Sequence, residues 1–168
     1  MFFKSLSVDR LNISPHVVGN INTKNPEEIE RAINFFENQI VNSKIENAVI
    51  ITDDGKIYHC SGDLNKIDSI LILGEKLKGS IVTHNHPQGS DGEHTFSKVD
   101  QKLFLDFDIL KLRGVEKNFV YEFNRDPNDL NSDEPTVEDF MNGYDYRHWD
   151  VLRMAKILKI GYRRWRRE

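Results

Sequence analysis

Residues 80–87 read Ser80-Ile81-Val82-Thr83-His84-Asn85-His86-Pro87. Ser80 to Thr83 is β-branched and apolar enough for a buried strand, and it runs directly into a histidine pair. Side chains on a strand alternate with period two, so His84 and His86 project to the same side. Upstream, Asn47 to Thr52 predicts a strand, Asp53-Asp54-Gly55 a turn, and Lys56 to Cys60 a second strand. Before these, Asn25-Pro26-Glu27-Glu28 supplies an N-cap, a proline at the first helical position and acids in the first turn. With Ile29, Ile33, Phe36 and Ile40 at helical spacing, it predicts a helix over 26 to about 43. Residues 66–77 fit a helix, and Ile70 to Leu73 fits a strand equally well. Downstream of His86 comes a glycine-rich polar loop to residue 96. Ser97 then opens a helix carrying Val99, Leu103, Phe107 and Leu110, and Phe119 to Phe123 alternates as a strand. A last helix is expected over about 136–141 or restarting near Tyr146, with Trp149, Leu152, Ala155, Leu158 and Tyr162 as its buried stripe. Residues 1–24 carry no clear pattern. The order of elements predicts an α/β fold, a mixed β-sheet flanked by helices.

The chain has 168 residues, enough for one domain with a core that needs no disulfides. Cys60 is the only cysteine, which excludes a disulfide framework and a cysteine-rich zinc site. No stretch approaches a membrane span, and Met1 to Val8 does not resemble a secretory signal, so a cytoplasmic protein is expected. Charge is uneven. Among residues 151–168, seven Lys and Arg stand against Glu168 alone, a local +6 that leaves −10 on the rest of a chain whose total is −4. An acidic body with a basic end is the reading, and such a body is a poor non-specific binder of nucleic acid.

Two histidines do not make a metal site. Ser97-Lys98-Val99-Asp100 supplies a third donor, because Asp100 falls in the first helical turn after the loop that leaves His86. His84, His86 and Asp100 around a zinc ion leave an open fourth position for water, whose pKa then falls toward ~7. Glu46, at the start of the neighbouring strand, is the choice for general base and later general acid; Glu75 is nearer in sequence but is expected on a helix. The Ser97 hydroxyl is placed to donate a hydrogen bond to a tetrahedral oxyanion. His59 and His94 are read as bystanders.

A glutamate, then His-x-His-Pro, then Ser-x-x-Asp resembles the JAMM motif of the JAB/MPN-type metalloproteases. The resemblance spans about residues 40–125 and is nearest to the RadC-type and phage-associated branches. It implies a cytidine-deaminase-like JAB/MPN architecture. It also implies zinc on His84, His86 and Asp100, with Glu46 acting on the metal's water and Ser97 steadying the intermediate. The activity implied is hydrolysis of a peptide or isopeptide bond in a protein or peptide substrate. Two departures stand out: Asp91-Gly92-Glu93-His94 looks inserted in the loop, and Glu46 matches only by its distance and strand position.

The expected organisation is a metallohydrolase domain over 1–125, an acidic linker over 126–135 and a helical basic extension over 136–168. The run Arg163-Arg164-Trp165-Arg166-Arg167 is read as a solvated end of a C-terminal basic helix, or as a contact for nucleic acid or protein. This end motivates the competing reading of a phage- or DNA-associated binding or assembly module without proteolysis, virion-associated if phage-encoded. A zinc deaminase is less well matched, since it requires His-x-Glu with Pro-Cys-x-x-Cys.

Overall fold

Asn25 caps the first helix as its neighbours suggest. Its side chain accepts from the Glu27 amide at 3.0 Å, and Pro26 opens helix α1, Pro26–Ile40. A computed structural model of the chain describes residues 1–62, 68–87, 94–131, 136–141 and 146–167. Around α1 stand strands β1 (Phe2–Phe3), β2 (His16–Asn20), β3 (Glu46–Ile51), β4 (Lys56–Gly62) and β5 (Ile81–Asn85). A 3-10 helix, Asp68–Leu77, precedes β5 and kinks at Gly74. Helix α2 (Lys98–Asp106), strands β6 (Lys111–Val115) and β7 (Phe119–Asn124), short α3 (Val137–Met141), α4 (Tyr146–Leu158) and strand β8 (Gly161–Arg166) follow.

The strands form one mixed sheet in the order β1-β2-β4-β3-β5-β6-β7-β8. Every neighbouring pair is antiparallel except β5 and β6. A parallel pair needs a crossover, and the segment carrying α2 supplies it. The carboxyl end of β5 and the amino end of α2 therefore meet at one end of the sheet, which is where ligands of parallel α/β units gather.

Helices cover both faces. On one face, Val49, Ile51, Ile57, Ile81 and Val115 pack with Ala32, Ile33, Phe36 and Ile40 of α1. Full burial of each large apolar side chain contributes about 1.5–3 kcal/mol. On the other face, Ala48, Ile50, Val82, Leu112, Tyr121 and Phe123 pack with Phe104 of α2, Leu152 and Ala155 of α4, and Phe96. Glu37 lies inside the apolar stripe of α1 without being wasted there. Its carboxylate takes two hydrogen bonds from Arg113, both 2.9 Å, and one from the Thr83 hydroxyl at 2.6 Å.

The C-terminal end departs from expectation. The helical period stops at Leu158, which is 45% exposed, and Lys159 turns the chain at a φ of 57°. Residues 161–166 become a strand paired along the whole of β7, so Arg163 to Arg166 stand on the sheet and not on a basic helix. The physical reason is Gly161, which breaks the helix and sits where a Cβ would meet Asn124 Oδ1 at 2.0 Å. Tyr162, expected on the helix stripe, is buried from β8, and Trp149 is only half-buried. The unplaced N-terminal residues supply β1 and β2, and β6 went unrecognised. The expected linker lies partly outside the described residues, at 132–135, as do residues 66–67.

Two buried histidines set the acid stability of this fold. His59 and His148 are pushed down to about 4, by burial above all and then by the nearby charge of His16 and Arg164 respectively. The unfolded chain binds their protons from about pH 6.5 downward, whereas the folded chain resists until about 4. The histidines' contribution is therefore full above pH 6.5 and falls as pH drops toward 4, by up to about 3 kcal/mol for each. Denaturant titrations across pH 4–7 are expected to show this slope, and His59→Gln is expected to flatten it.

Candidate metal centre

Strand register assembles the site. Ala48 of β3 pairs with His84 of β5, and β3 runs antiparallel to β5, so Glu46 falls opposite His86. Period-two alternation puts Glu46, Ala48, His84 and His86 on one face. Ala48 is small and leaves room above His84. Ligand atoms of Glu46, His84 and His86 all lie within 4.8 Å of one another. Glu75 stands exposed on the 3-10 helix, and neither His59 nor His94 joins the cluster.

Asp100 arrives from α2. Ser97 caps that helix: its hydroxyl oxygen accepts from the Asp100 amide at 3.1 Å, and Asp100 Oδ2 accepts from the Ser97 amide at 3.0 Å. This capping box aims the Asp100 carboxylate back at the sheet. Oδ1 lies 3.2 Å from His84 Nε2, and Oδ2 lies 3.2 Å from His86 Nε2. The two Nε2 atoms are themselves 2.9 Å apart. Each Nε2 thus faces both the other ring and an Asp100 oxygen, so the three side chains turn their polar atoms toward one point. Donors around a tetrahedral ion with bonds of about 2.0–2.1 Å lie about 3.3 Å from one another, close to these separations. Two imidazoles and carboxylates suit zinc, so the donor set fits a divalent ion of that kind.

The electrostatics divide the two acids. Burial opposes the charge of Asp100, but His84 and His86 outweigh it and hold its carboxyl well below the usual range. Glu46 is driven the other way, up to about 8, by burial first and then by the Asp100 carboxylate, with His86 pulling slightly back. One acid is thus a permanent anion and the other is poised to carry a proton, the division that general acid–base chemistry uses.

Sequence reasoning missed three residues here. Asn85, between the histidines, points away from them. Its side chain accepts from the Asn47 amide at 2.6 Å and donates to Ile45 O at 3.0 Å, which fixes the start of β3 and so Glu46. Tyr121 of β7 is fully buried and places its hydroxyl 2.6 Å from His86 Nδ1. Gly114 makes this possible, since a Cβ there would meet the Tyr121 ring at 2.0 Å. Glu116 completes the group: with burial, its charge raises the Tyr121 pKa, and its Oε1 lies 3.1 Å from His94 Nδ1. A metal-ligating histidine almost always has a partner on its other nitrogen that fixes its tautomer. Tyr121 is placed to do this for His86, while His84 Nδ1 is buried without a partner among the described residues. Tyr121→Phe is expected to fold normally and weaken zinc binding about 10–100-fold, read by competition with a chromophoric chelator.

A cleft of ≈ 310 Å³ opens beside His86, lined also by Val41, Asn42, Pro87, Glu116 and Asn118. The inserted-looking Asp91 to Glu93 lie outside the described residues. The loop is tied down at its far end, where the Tyr162 hydroxyl bonds Thr95 at 2.6 Å and His148 at 2.7 Å. No protein-family model matches the chain, and no curated protein or solved structure matches it. Among the described residues no helix is long and apolar enough to cross a membrane.

Proposed function

We propose that the protein is a zinc-dependent hydrolase of the JAMM type, cleaving a peptide or isopeptide bond. The observation that supports this most directly is the convergence of Glu46, His84 and His86 within 4.8 Å, with Asp100 oxygens 3.2 Å from both imidazoles. The crossover geometry, β5 to α2 to β6, is compatible with the JAB/MPN architecture that the motif implies. His84, His86 and Asp100 are the residues that would hold zinc, leaving Glu46 beside it.

Zinc bound there supplies Lewis acidity toward the scissile carbonyl and lowers the pKa of water. The rest falls to the chain. Glu46 accepts a proton as the water oxygen bonds to the carbonyl carbon, and returns it to the nitrogen as the carbon–nitrogen bond breaks. Ser97 spends its oxygen lone pair on the Asp100 amide, which leaves its O–H free to donate to the developing oxyanion. Asp100 stays ionised throughout and holds α2 against the histidines.

The test combines metal content with turnover. Purified protein is expected to carry close to one zinc per chain and to cleave members of a panel of peptides and isopeptide-linked conjugates. Chelation should abolish cleavage and added zinc restore it. A protein that binds no divalent ion, or binds zinc and cleaves nothing in the panel, would favour the binding or assembly reading instead.

A further inference from the structure

Three exposed asparagines, Asn34, Asn38 and Asn42, recur every four residues along α1 and the turn that follows it. That spacing sets them in one file on the helix surface. Asn34 and Asn38 wall a hollow of ≈ 360 Å³, facing Arg113, Trp165, Arg166 and Arg167. Asn42 walls the ≈ 310 Å³ cleft at His86. The opposite walls are continuous as well, because the Arg167 amide donates to Asn118 O at 2.8 Å and Asn118 lines the cleft. The two hollows thus follow one another from β8 toward the metal centre, a trough that the Arg167 side chain crosses to reach Asn38.

The trough is electropositive in a protein whose body is acidic. Its two carboxylates are both engaged, Glu37 by Arg113 and Glu116 by His94. Arg167 has a neutral partner, donating to the Asn38 amide oxygen at 2.7 Å, whereas the Arg166 guanidinium turns to the other face of the sheet, 4.9 Å from the Phe119 ring centre. Neither has a carboxylate partner among the described residues. Lys117 adds a further exposed cation at the cleft.

The lining favours a polypeptide over a nucleic acid. Asparagine amides offer a donor and an acceptor side by side, matching the peptide unit. Single-stranded nucleic acid needs an aromatic platform for its bases. Trp165 is not left as one, since the Arg113 and Arg163 guanidiniums each stand 5.0 Å from its ring centre. We propose that this trough binds an extended polypeptide segment bearing acidic side chains, which Arg167 and Lys117 recognise. Asn34 to Asn42 spans about 12 Å along a helix. An extended chain rises about 3.3 Å per residue, so the acid sits about two to four residues from the bond presented at His86. As a substrate site the trough rests on the hydrolase reading; as a binding site it does not.

Fluorescence anisotropy on Glu46→Gln protein tests it, with labelled extended peptides that differ only in carrying Glu, Gln or Lys. The Glu peptide is expected to bind at least tenfold more tightly than the Gln peptide, with or without zinc, and to weaken with salt. The double variant Lys117→Gln, Arg167→Gln should lose at least fivefold for the Glu peptide alone, and Arg166→Gln should change nothing. Asn42→Asp, which keeps both cations, should weaken the Glu peptide and leave the Gln peptide unchanged. Equal binding of the Glu and Gln peptides, or no loss in the Lys117→Gln, Arg167→Gln variant, overturns the proposal, as does tighter binding of a single-stranded oligonucleotide. Selective acidic binding with no cleavage by zinc-loaded protein removes the hydrolase reading and leaves the trough standing. Cleavage indifferent to acid placement does the reverse.

Discussion

Glu46→Gln protein should retain its zinc and lose turnover by about 10²–10⁴-fold, the contribution of a general base. The substitution is close to isosteric and removes only the ability to take a proton. Glu46 is buried and destabilised as an anion, since burial and Asp100 both push its pKa up, to about 8. A neutral amide in its place therefore costs the fold little and should even relieve repulsion with Asp100. Three measurements separate the outcomes: metal content by elemental analysis, thermal stability, and kcat on a cleavable conjugate. Unchanged kcat with zinc in place removes Glu46 from the mechanism. Loss of zinc would instead make Glu46 a ligand, which its position within 4.8 Å of both histidines permits sterically.

Asp100→Ala should do more damage, because one carboxylate has two jobs. It closes the capping box with Ser97, and loss of the box is expected to cost about 1 kcal/mol of stability. In the proposed site it is also the third donor, its oxygens 3.2 Å from each imidazole, so zinc binding should fall below detection in a chelator competition. Asp100→Asn separates the jobs. The amide oxygen can still accept from the Ser97 N–H, so stability should largely return, while the lost charge keeps zinc affinity low. If Asp100→Asn and Asp100→Ala bind zinc as tightly as the parent, Asp100 is a helix cap and nothing more.

What could be read from the chain was local. The cap at Asn25, the β3–β4 turn, the His-x-His strand and the Ser97–Asp100 box each lie within a few residues, and each took the expected form. Strand β6 was hidden because Lys111 to Val115 mixes two cations and a glycine with two apolar residues. Arg113 belongs on that strand only because Glu37, from another element, is there to pair with it. The Tyr121–His86 contact bridges 35 residues, and in Phe119 to Phe123 a buried tyrosine looks like any other alternating aromatic. Strand β8 was misread for a related reason. Its residues continue a three-to-four spacing from α4 by coincidence, and only a free sheet edge beside β7 decides between helix and strand.

The Tyr162 hydroxyl, bonded to Thr95 and His148 at once, has a bearing on how this polypeptide can be divided. Its ring packs on Phe96 and Phe123, deep in the larger core. A fragment stopped at residue 125 would keep Glu46, His84, His86 and Asp100 yet strip that aromatic cluster of its cover. Such a fragment should be recovered as aggregate, and supplying residues 146–167 as a separate peptide should rescue its solubility.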